Sequence, residues 1–400
     1  MVVFSNAGVQ LASDNKTLFW SCGWNVRDTA QTNLLPFNLY FLTTPERNGD
    51  ETEMNKNNIR IIFVTFILFV IELTFCGFGF SQVSEAELNR VVSRGLDWLA
   101  ANQTRRGSWE AANGAYPSAM TGMAGLAMLA EGSTATQGKY SENIRGAVNF
   151  LVKQARTNGL VGTESDDRYT YGHGFGLLFL SQVLGEEEDD KQRLELIEVM
   201  TKAVKFCGQA QTKAGGWGYV SAKDGGDFDE GSTTITQVQA LRGCRNAGII
   251  VPKEIIDKAI AYIHKCSIRE GADGIQYNIQ GGGGRPPISA AAIACLFNAG
   301  EYDGKFVPNL LKYCDRNLGD IASNNDYGHW HYAHYYFAQV KYRQGGKEWK
   351  DYRDKIFKRI IKEAAEDGSW GQGYIGKVYT TAINLTILQL ENGALPIYMK

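Results

Sequence analysis

A short motif recurs along this chain and constrains its fold more than any other feature. Residues 103–109 and 211–217 both read Gln-x-x-x-Gly-x-Trp, and residues 367–370 (Asp-Gly-Ser-Trp) keep only the Gly-x-Trp end. Motifs that recur between similar segments are typical of folds built by repeating one structural unit. The sequence therefore predicts a domain assembled from related helical units.

The segments between the motifs alternate between two helical patterns. Six are amphipathic, with apolar residues at i, i+3 and i+4 and charges on the opposite face. Six others have no Asp, Glu, Lys or Arg in about their first ten residues, which predicts burial on all sides. The amphipathic helices are predicted at 85–102, 141–156, 191–210, 252–267, 305–318 and 347–365, and the uncharged ones at 118–130, 169–184, 232–247, 289–299, 328–344 and 378–390.

This alternation predicts an all-α fold, an (α/α)6 toroid of six inner and six outer helices. The uncharged helices are too short, and too rich in Gly, Thr, Tyr and His, to be membrane spans. The long loops, which carry the Gly-Trp motifs, would meet on one rim beside the N-termini of the inner helices. Because long loops on a rigid scaffold usually carry function, we expect the site at that rim, around a central cavity.

Charge and cysteine content exclude several classes of protein. The 400 residues include 41 Lys plus Arg and 43 Asp plus Glu, a net charge of −2, so there is no basic surface for nucleic acid. Five cysteines follow residue 81, all within predicted helices and with no Cys-x-x-Cys pair: Cys207, Cys244, Cys266, Cys295 and Cys314. This pattern favours buried free thiols over a disulfide framework.

A stretch near the N-terminus has the pattern of an export signal. A short basic region begins at Met54, residues 61–80 are apolar apart from a few positions such as Glu72, and small residues precede Gln82. We interpret 54–81 as a secretory signal peptide that directs residues 82–400 to the periplasm or the extracellular space. Residues 1–53 would then be a mis-annotated extension. The alternative is an uncleaved membrane anchor.

The repeats, the alternating helices and the acidic run at 227–230 (Asp-Phe-Asp-Glu) resemble the terpene cyclase and protein prenyltransferase superfamily. The resemblance covers residues 85–393 and extends to squalene–hopene cyclases and to single-toroid prenyltransferase and squalene-oxidase repeat proteins. It implies a hydrophobic isoprenoid ligand in an aromatic central cavity, and it would allow peripheral contact with a membrane. We expect no cofactor.

The resemblance also implies candidate catalytic residues. Squalene–hopene cyclases protonate their substrate with the middle residue of an Asp-x-Asp-Asp-Thr motif. Carried over by position, Asp229 would be the acid, with Asp227 and Glu230 as hydrogen-bonding neighbours that raise its proton affinity. This chain departs from the pattern, since Glu230 stands for the last Asp and Gly231 for the Thr.

Aromatic and basic residues are candidates for the ligand cavity. Aromatic faces would stabilise a carbocation, and the candidates are Trp217, Tyr219, Phe228, Tyr332 and Tyr335. Tyr169, His173, His329, His331 and His334 are predicted to line the same cavity. His331 and His334 are three residues apart, but the nearby sequence supplies no complete metal-ligand set. Resemblance to protein prenyltransferases implies that Arg285 holds a diphosphate, although no Asp-x-Cys zinc motif follows it.

Two classes of function remain open from the sequence. One is an enzyme that cyclises or otherwise transforms a polyprenyl chain. The other is a non-catalytic exported toroid that binds a lipid, a peptide or a protein partner. In the second interpretation, the acidic run serves only to cap the inner helix that follows it.

Overall fold

The computed structural model describes residues 83–399, except for 164–165, 302–303, 323–328 and 372, and the backbone of two short strands nearer the N-terminus. The chain divides into two compact units, Met1–Phe80 and Ser81–Lys400. In the first unit, β1 (Val9–Leu11) pairs antiparallel with β2 (Leu18–Trp20). The predicted signal peptide and its membrane-anchor alternative lie outside the described residues.

The described part of the second unit contains twelve α-helices in the predicted order. The helices are α1 (Glu85–Ala101), α2 (Pro117–Leu129), α3 (Ser141–Lys153), α4 (Tyr169–Leu184), α5 (Asp190–Ala210), α6 (Gly231–Asn246), α7 (Lys253–Lys265), α8 (Pro286–Ala299), α9 (Phe306–Leu318), α10 (Trp330–Gln344), α11 (Gly346–Glu363) and α12 (Lys377–Leu388). None of these helices is long and apolar enough to cross a membrane.

The even-numbered helices form a closed inner ring. Each packs against the next, and α12 packs against α2 to complete the circle. The odd-numbered helices pack outside this ring, against the inner helices. The predicted (α/α)6 toroid of six inner and six outer helices is therefore confirmed.

Burial follows the charge pattern of the two kinds of helix. Every residue of α2 is buried, because it lies inside the ring and carries no charge. The outer helix α7 buries only one stripe, including Ile255, Ala259 and Ile263, and presents its charged residues to solvent. The five cysteines are all buried free thiols.

The recurring motif ties an outer helix to the inner helix that follows it. Trp109, Trp217 and Trp370 are fully buried. Each indole N–H donates to a carbonyl ten residues earlier, and each backbone N–H donates to a threonine in the next inner helix. The indole acceptors are Leu99, Cys207 and Ile360 at 2.7–2.8 Å, and the threonines are Thr121, Thr234 and Thr381 at 3.0 Å. We call this arrangement the tryptophan clasp.

The glutamine of the motif joins the clasp to the next outer helix. The Gln211 amide donates to the Gly215 and Ile255 carbonyls, both at 2.9 Å. The Gln103 amide likewise donates to the carbonyls of Gly107 and Asn143. One short motif therefore connects three helices of the toroid.

Two further repeats keep the clasp geometry without a tryptophan. The backbone N–H of Val161 donates to His173 Nδ1 at 3.1 Å, and that of Ile275 donates to Ser289 Oγ at 2.8 Å. In both, a side chain near the start of an inner helix accepts the bond. The sequence did not reveal these copies, because Val161 and Ile275 replace the tryptophan that marks the motif.

Candidate functional site

The rim at which the inner helices begin encloses a cavity of about 760 Å³. Seven tyrosines line it among the described residues, together with apolar and basic side chains. The lining residues are Tyr116, Ala119, Met120, Met123, Arg168, Tyr171, Phe175, Tyr219, Ser232, Tyr277, Gly283, Gly284, Arg285, Pro287, Ile288, His329, Tyr332, Tyr374, Ile375 and Tyr379. A volume of this size is typical of a site for a small molecule.

The cavity changes character from its depth to its mouth. Its deep part is formed by buried apolar side chains, which include Met120, Met123 and Phe175. Arg168, Arg285 and His329 are exposed at the mouth. No Asp or Glu is among the described residues that line the cavity. The site therefore combines an apolar interior with a basic entrance.

The two arginines at the mouth are held over tyrosine rings. Arg168 Cζ lies 4.4 Å from the centroid of the Tyr219 ring, and Arg285 Cζ lies 4.5 Å from that of Tyr277. The hydroxyls of Tyr219 and Tyr277 hydrogen-bond to each other. Because a guanidinium stacked on an aromatic face keeps its N–H edge free, both side chains can still donate to a ligand.

None of the predicted catalytic carboxylates is among the described residues that line this cavity. Asp229 is buried in the clasp, where it accepts hydrogen bonds from Thr212 Oγ1 and from Tyr262 OH of the outer helix α7, both at 2.7 Å. Asp227 is exposed and accepts from the backbone N–H of Lys213. The structure thus places Asp229 between helices.

Glu230 has the capping position that the alternative interpretation gave to the acidic run. It precedes α6, and its carboxylate accepts from the backbone N–H groups of Ser232 and Thr233 at 2.8 and 2.6 Å. The Ser232 hydroxyl also donates to it. These bonds satisfy N–H groups that a helix start leaves without partners.

Four of the predicted ligand-binding residues line the cavity: Tyr219, Arg285, His329 and Tyr332. Phe228 lies beside them, with its ring centroid 5.9 Å from that of Tyr219 and 6.4 Å from that of Tyr277. Its side chain is 36% exposed, so it belongs to the edge of the mouth. The structure brings these five residues together.

Six other predicted ligand-binding residues lie elsewhere. Trp217 and His173 are parts of clasps, and the Tyr169 hydroxyl holds the 221–224 loop through Ser221 and Asp224. His331, His334 and Tyr335 are buried against Asn384, Tyr352 and Tyr398, respectively. These six side chains are not among the described residues that line this cavity. An inner helix is buried on every face, so its sequence does not mark the face that meets the cavity.

The lining residues that were not among the predicted candidates include Tyr116, Arg168, Tyr277, Tyr374 and Tyr379. Position along the chain would have revealed two of them. Tyr116 and Arg168 immediately precede inner helices, as do Arg285 and His329. The residue that precedes the helix thus lines the cavity at four of the six inner helices.

Metal ligation has no support in the described part of the chain. His331 Nδ1 lies 3.3 Å from Asn384 Oδ1, and His334 Nδ1 lies 2.8 Å from the Tyr352 hydroxyl. The described residues hold no cluster of three or more His, Cys, Asp or Glu side chains able to bind a metal ion.

His173 makes folding sensitive to acid. Burial lowers the pKa of His173 to about 4, whereas the unfolded chain protonates near the ordinary value of 6.5. The free energy of unfolding therefore keeps the full contribution of neutral His173 above pH 6.5 and loses it as the pH falls toward 4. At pH 5 the loss is about 2 kcal/mol. We expect urea unfolding to show this loss between pH 7 and 5. His173→Gln should show a smaller pH dependence, and an equal one would contradict the assignment.

Comparison with known proteins supports the fold alone. No protein family and no curated protein matches the chain significantly. An inactive variant of the α-1,6-mannanase GH76A of Salegentibacter sp. HEL1_6, solved with α-1,6-mannotriose, aligns over 76% of this chain and 98% of its own. The TM-score is 0.57 and the sequence identity 8%. A protein from Actinoplanes aligns over 75% of this chain and 98% of its own, with a TM-score of 0.50 and 14% identity.

The type II terpene cyclase MstE from Scytonema aligns over 78% of this chain and 100% of its own, with 13% identity. Its TM-score of 0.34 is too low to carry an argument. The unit Ser81–Lys400 is thus an all-α toroid that shares its fold with a glycosidase. The narrower terpene cyclase family suggested by the sequence is not shown, and fold alone does not define an activity.

Proposed function

We propose that this toroid binds an elongated apolar ligand of the isoprenoid class in its central cavity. The observation that carries the proposal is the apolar, tyrosine-walled interior of about 760 Å³. Burial of an apolar chain there is worth roughly 25 cal/mol for each Å² removed from water. The tyrosine rings supply flat faces that pack against unsaturated chains.

The proposal is for binding and leaves out proton-initiated cyclisation. A cyclase needs an acid within reach of its substrate. Asp229 is instead hydrogen-bonded to Thr212 and Tyr262, and Glu230 caps α6. The binding interpretation therefore agrees better with the position of the two carboxylates.

Glycoside hydrolysis is the competing activity, because mannanases share the fold. Hydrolysis of a glycosidic bond ordinarily uses two carboxyl groups on either side of that bond. The described lining of this cavity has neither, and its deep part is formed by Met120, Met123 and Phe175. An apolar ligand fits this lining better than a polysaccharide does.

Filling the cavity tests the proposal. Ala119 is buried and lines the cavity. We expect Ala119→Phe to weaken binding of farnesol, measured by isothermal titration calorimetry, by roughly tenfold or more, because the new ring occupies the space of the chain. Ala261→Phe is the matched control, since Ala261 is exposed on the outer helix α7.

The control variant should bind farnesol as the unmodified protein does. Circular dichroism melting would establish that both variants are folded. Equal affinity of folded Ala119→Phe and Ala261→Phe would rule out the cavity as the binding site.

A further inference from the structure

A row of hydroxyl groups runs from the cavity wall to a buried carboxylate. Tyr171 and Ser232 both line the cavity, on the neighbouring inner helices α4 and α6. Their hydroxyl oxygens lie 2.5 Å apart, and the Ser232 hydroxyl oxygen lies 2.8 and 2.7 Å from the two carboxylate oxygens of Glu230. Glu230 is fully buried and is not among the described residues that line the cavity. Two hydroxyls thus join the cavity to a carboxylate outside it.

The carboxylate fixes the direction of the hydrogen bonds in this row. A carboxylate only accepts, so the single hydroxyl proton of Ser232 is directed at Glu230. The Ser232 oxygen is then left as an acceptor, and the Tyr171 hydroxyl donates to it. The reverse order is disfavoured, because it would give up a charge-assisted bond for a neutral one. The other acceptor near the Tyr171 hydroxyl, Glu230 Oε1 at 3.4 Å, also draws its proton away from the cavity. The Tyr171 oxygen therefore offers a ligand only lone pairs.

A second tyrosine of the wall has the same polarity. Tyr332 also lines the cavity, and its hydroxyl donates to the backbone carbonyl oxygen of Ser232 at 3.4 Å. Burial raises the pKa of Tyr171 and of Tyr332 well above the ordinary value of 10, and the nearby Glu230 charge adds to the effect. Both phenols thus keep their protons at neutral pH and direct them toward α6. Two phenol oxygens are left as acceptors.

The basic mouth of the cavity decides which kind of donor these acceptors suit. Arg168 precedes α4, and Tyr171 is the third residue of that helix, so the acceptor lies close to a guanidinium at the mouth. A cationic donor such as an ammonium group would be repelled there and by Arg285. An amide would bring further polar atoms into an apolar interior. A neutral hydroxyl supplies one proton without either cost.

We propose that the phenol oxygens of Tyr171 and Tyr332 form an alcohol-binding subsite in the cavity wall, where a ligand hydroxyl donates its proton. This inference rests on the proposed function, and it names the ligand class as an apolar alcohol. Ser232 and Glu230 are positioning residues, because they act by orienting the tyrosine protons. An ether or a ketone has no proton to donate, so its oxygen would face the phenol oxygens unpaired.

Two compounds that share one chain test the subsite. Farnesol has a hydroxyl proton, and farnesyl methyl ether lacks it. Calorimetry should show roughly tenfold tighter binding of farnesol, as one well-formed hydrogen bond implies. Tyr171→Phe removes an acceptor and should abolish this preference. Tyr374→Phe is the matched control and should retain it, because Tyr374 lines the cavity with a side chain that is 71% exposed.

The outcomes separate the subsite from the proposed function. Equal affinities of the unmodified protein for farnesol and its ether would overturn the subsite while the proposed function stood. A preference that persists in Tyr171→Phe would also overturn it, because the preference would then come from the bulk of the methyl group. Tighter binding of farnesylamine than of farnesol would overturn the alcohol class. Binding of none of these compounds would refute the proposed function and the subsite together.

Ser232→Ala supplies a second readout, of the proton direction itself. The substitution leaves the backbone N–H bonds that cap α6 in place. Without the Ser232 oxygen, the Tyr171 hydroxyl is free to turn and donate to an ether oxygen. The preference for farnesol should therefore narrow to roughly threefold or less, mainly through tighter binding of the ether. An undiminished preference in folded Ser232→Ala would contradict the role of Ser232 in orienting the phenol.

Discussion

Replacement of Trp217 by alanine lowers the free energy of unfolding by about 3–5 kcal/mol, the range for removal of a large aromatic side chain from a core. The Trp217 side chain is fully buried, and its indole N–H donates to the Cys207 carbonyl at 2.8 Å. The substitution would remove packing between α5 and α6 and leave that carbonyl without its donor. Urea unfolding followed by circular dichroism measures the loss.

Two controls separate packing from the hydrogen bond. Trp217→Phe keeps an aromatic ring but loses the N–H donor, so we expect an intermediate loss. Tyr374→Ala removes an aromatic side chain that is 71% exposed and should change stability by about 0.5 kcal/mol or less. A loss below about 1 kcal/mol for Trp217→Ala would show that the clasp does not hold these helices together.

Replacement of Gly215 by alanine is expected to cost about 3 kcal/mol. Gly215 has a φ of +106°, which a residue with a side chain adopts only with strain. A β-carbon there would also overlap the Lys258 carbonyl oxygen of the outer helix α7. Since backbone atoms cannot move aside as a flexible side chain does, strain and overlap add. Thermal or urea unfolding would report the loss.

Gly226 provides the matched control for this substitution. Its φ of +63° is also positive, but a β-carbon would meet nothing within 4 Å. Gly226→Ala should therefore cost only about 1 kcal/mol, the penalty of the left-handed conformation. Equal losses at the two positions would mean that close contact with α7 is not what requires glycine in the motif.

The same contact recurs around the ring. β-Carbons at Gly107, Gly159 and Gly368 would overlap the carbonyl groups of Gly146, Lys202 and Arg94, each in an outer helix. All three glycines have φ near +90°. The glycine of the sequence motif is therefore required where the loop passes directly over an outer helix.

The fold could be predicted because its physical signals are local. Absence of charge over the first ten residues identifies an inner helix such as α2, and a one-sided apolar stripe identifies an outer helix such as α7. Alternation of the two kinds leaves few arrangements that bury all the apolar surface. The clasp tryptophans made the structural repeat visible in the sequence. Two copies of the clasp were missed because Val161 and Ile275 stand where the motif has its tryptophan.

The site was predicted less well because its signals depend on tertiary contacts. The orientation of the Asp229 carboxylate is set by a hydrogen bond from the Tyr262 hydroxyl, which lies 33 residues later on the outer helix α7. Tyr335 and His331 share α10 with the lining residue Tyr332, and only packing decides which side chain meets the cavity. Uniform burial of the inner helices removes the periodicity that would otherwise distinguish their faces.

A crystal structure of the protein soaked or co-crystallised with farnesol tests the central claim most directly. The proposed function predicts density for one farnesyl chain inside the cavity, in contact with Met120, Met123 and Phe175 and surrounded by the tyrosine walls. The same experiment with α-1,6-mannotriose should leave the cavity without sugar. An empty cavity with farnesol, or a mannotriose seated among the tyrosines, would contradict the proposed isoprenoid ligand.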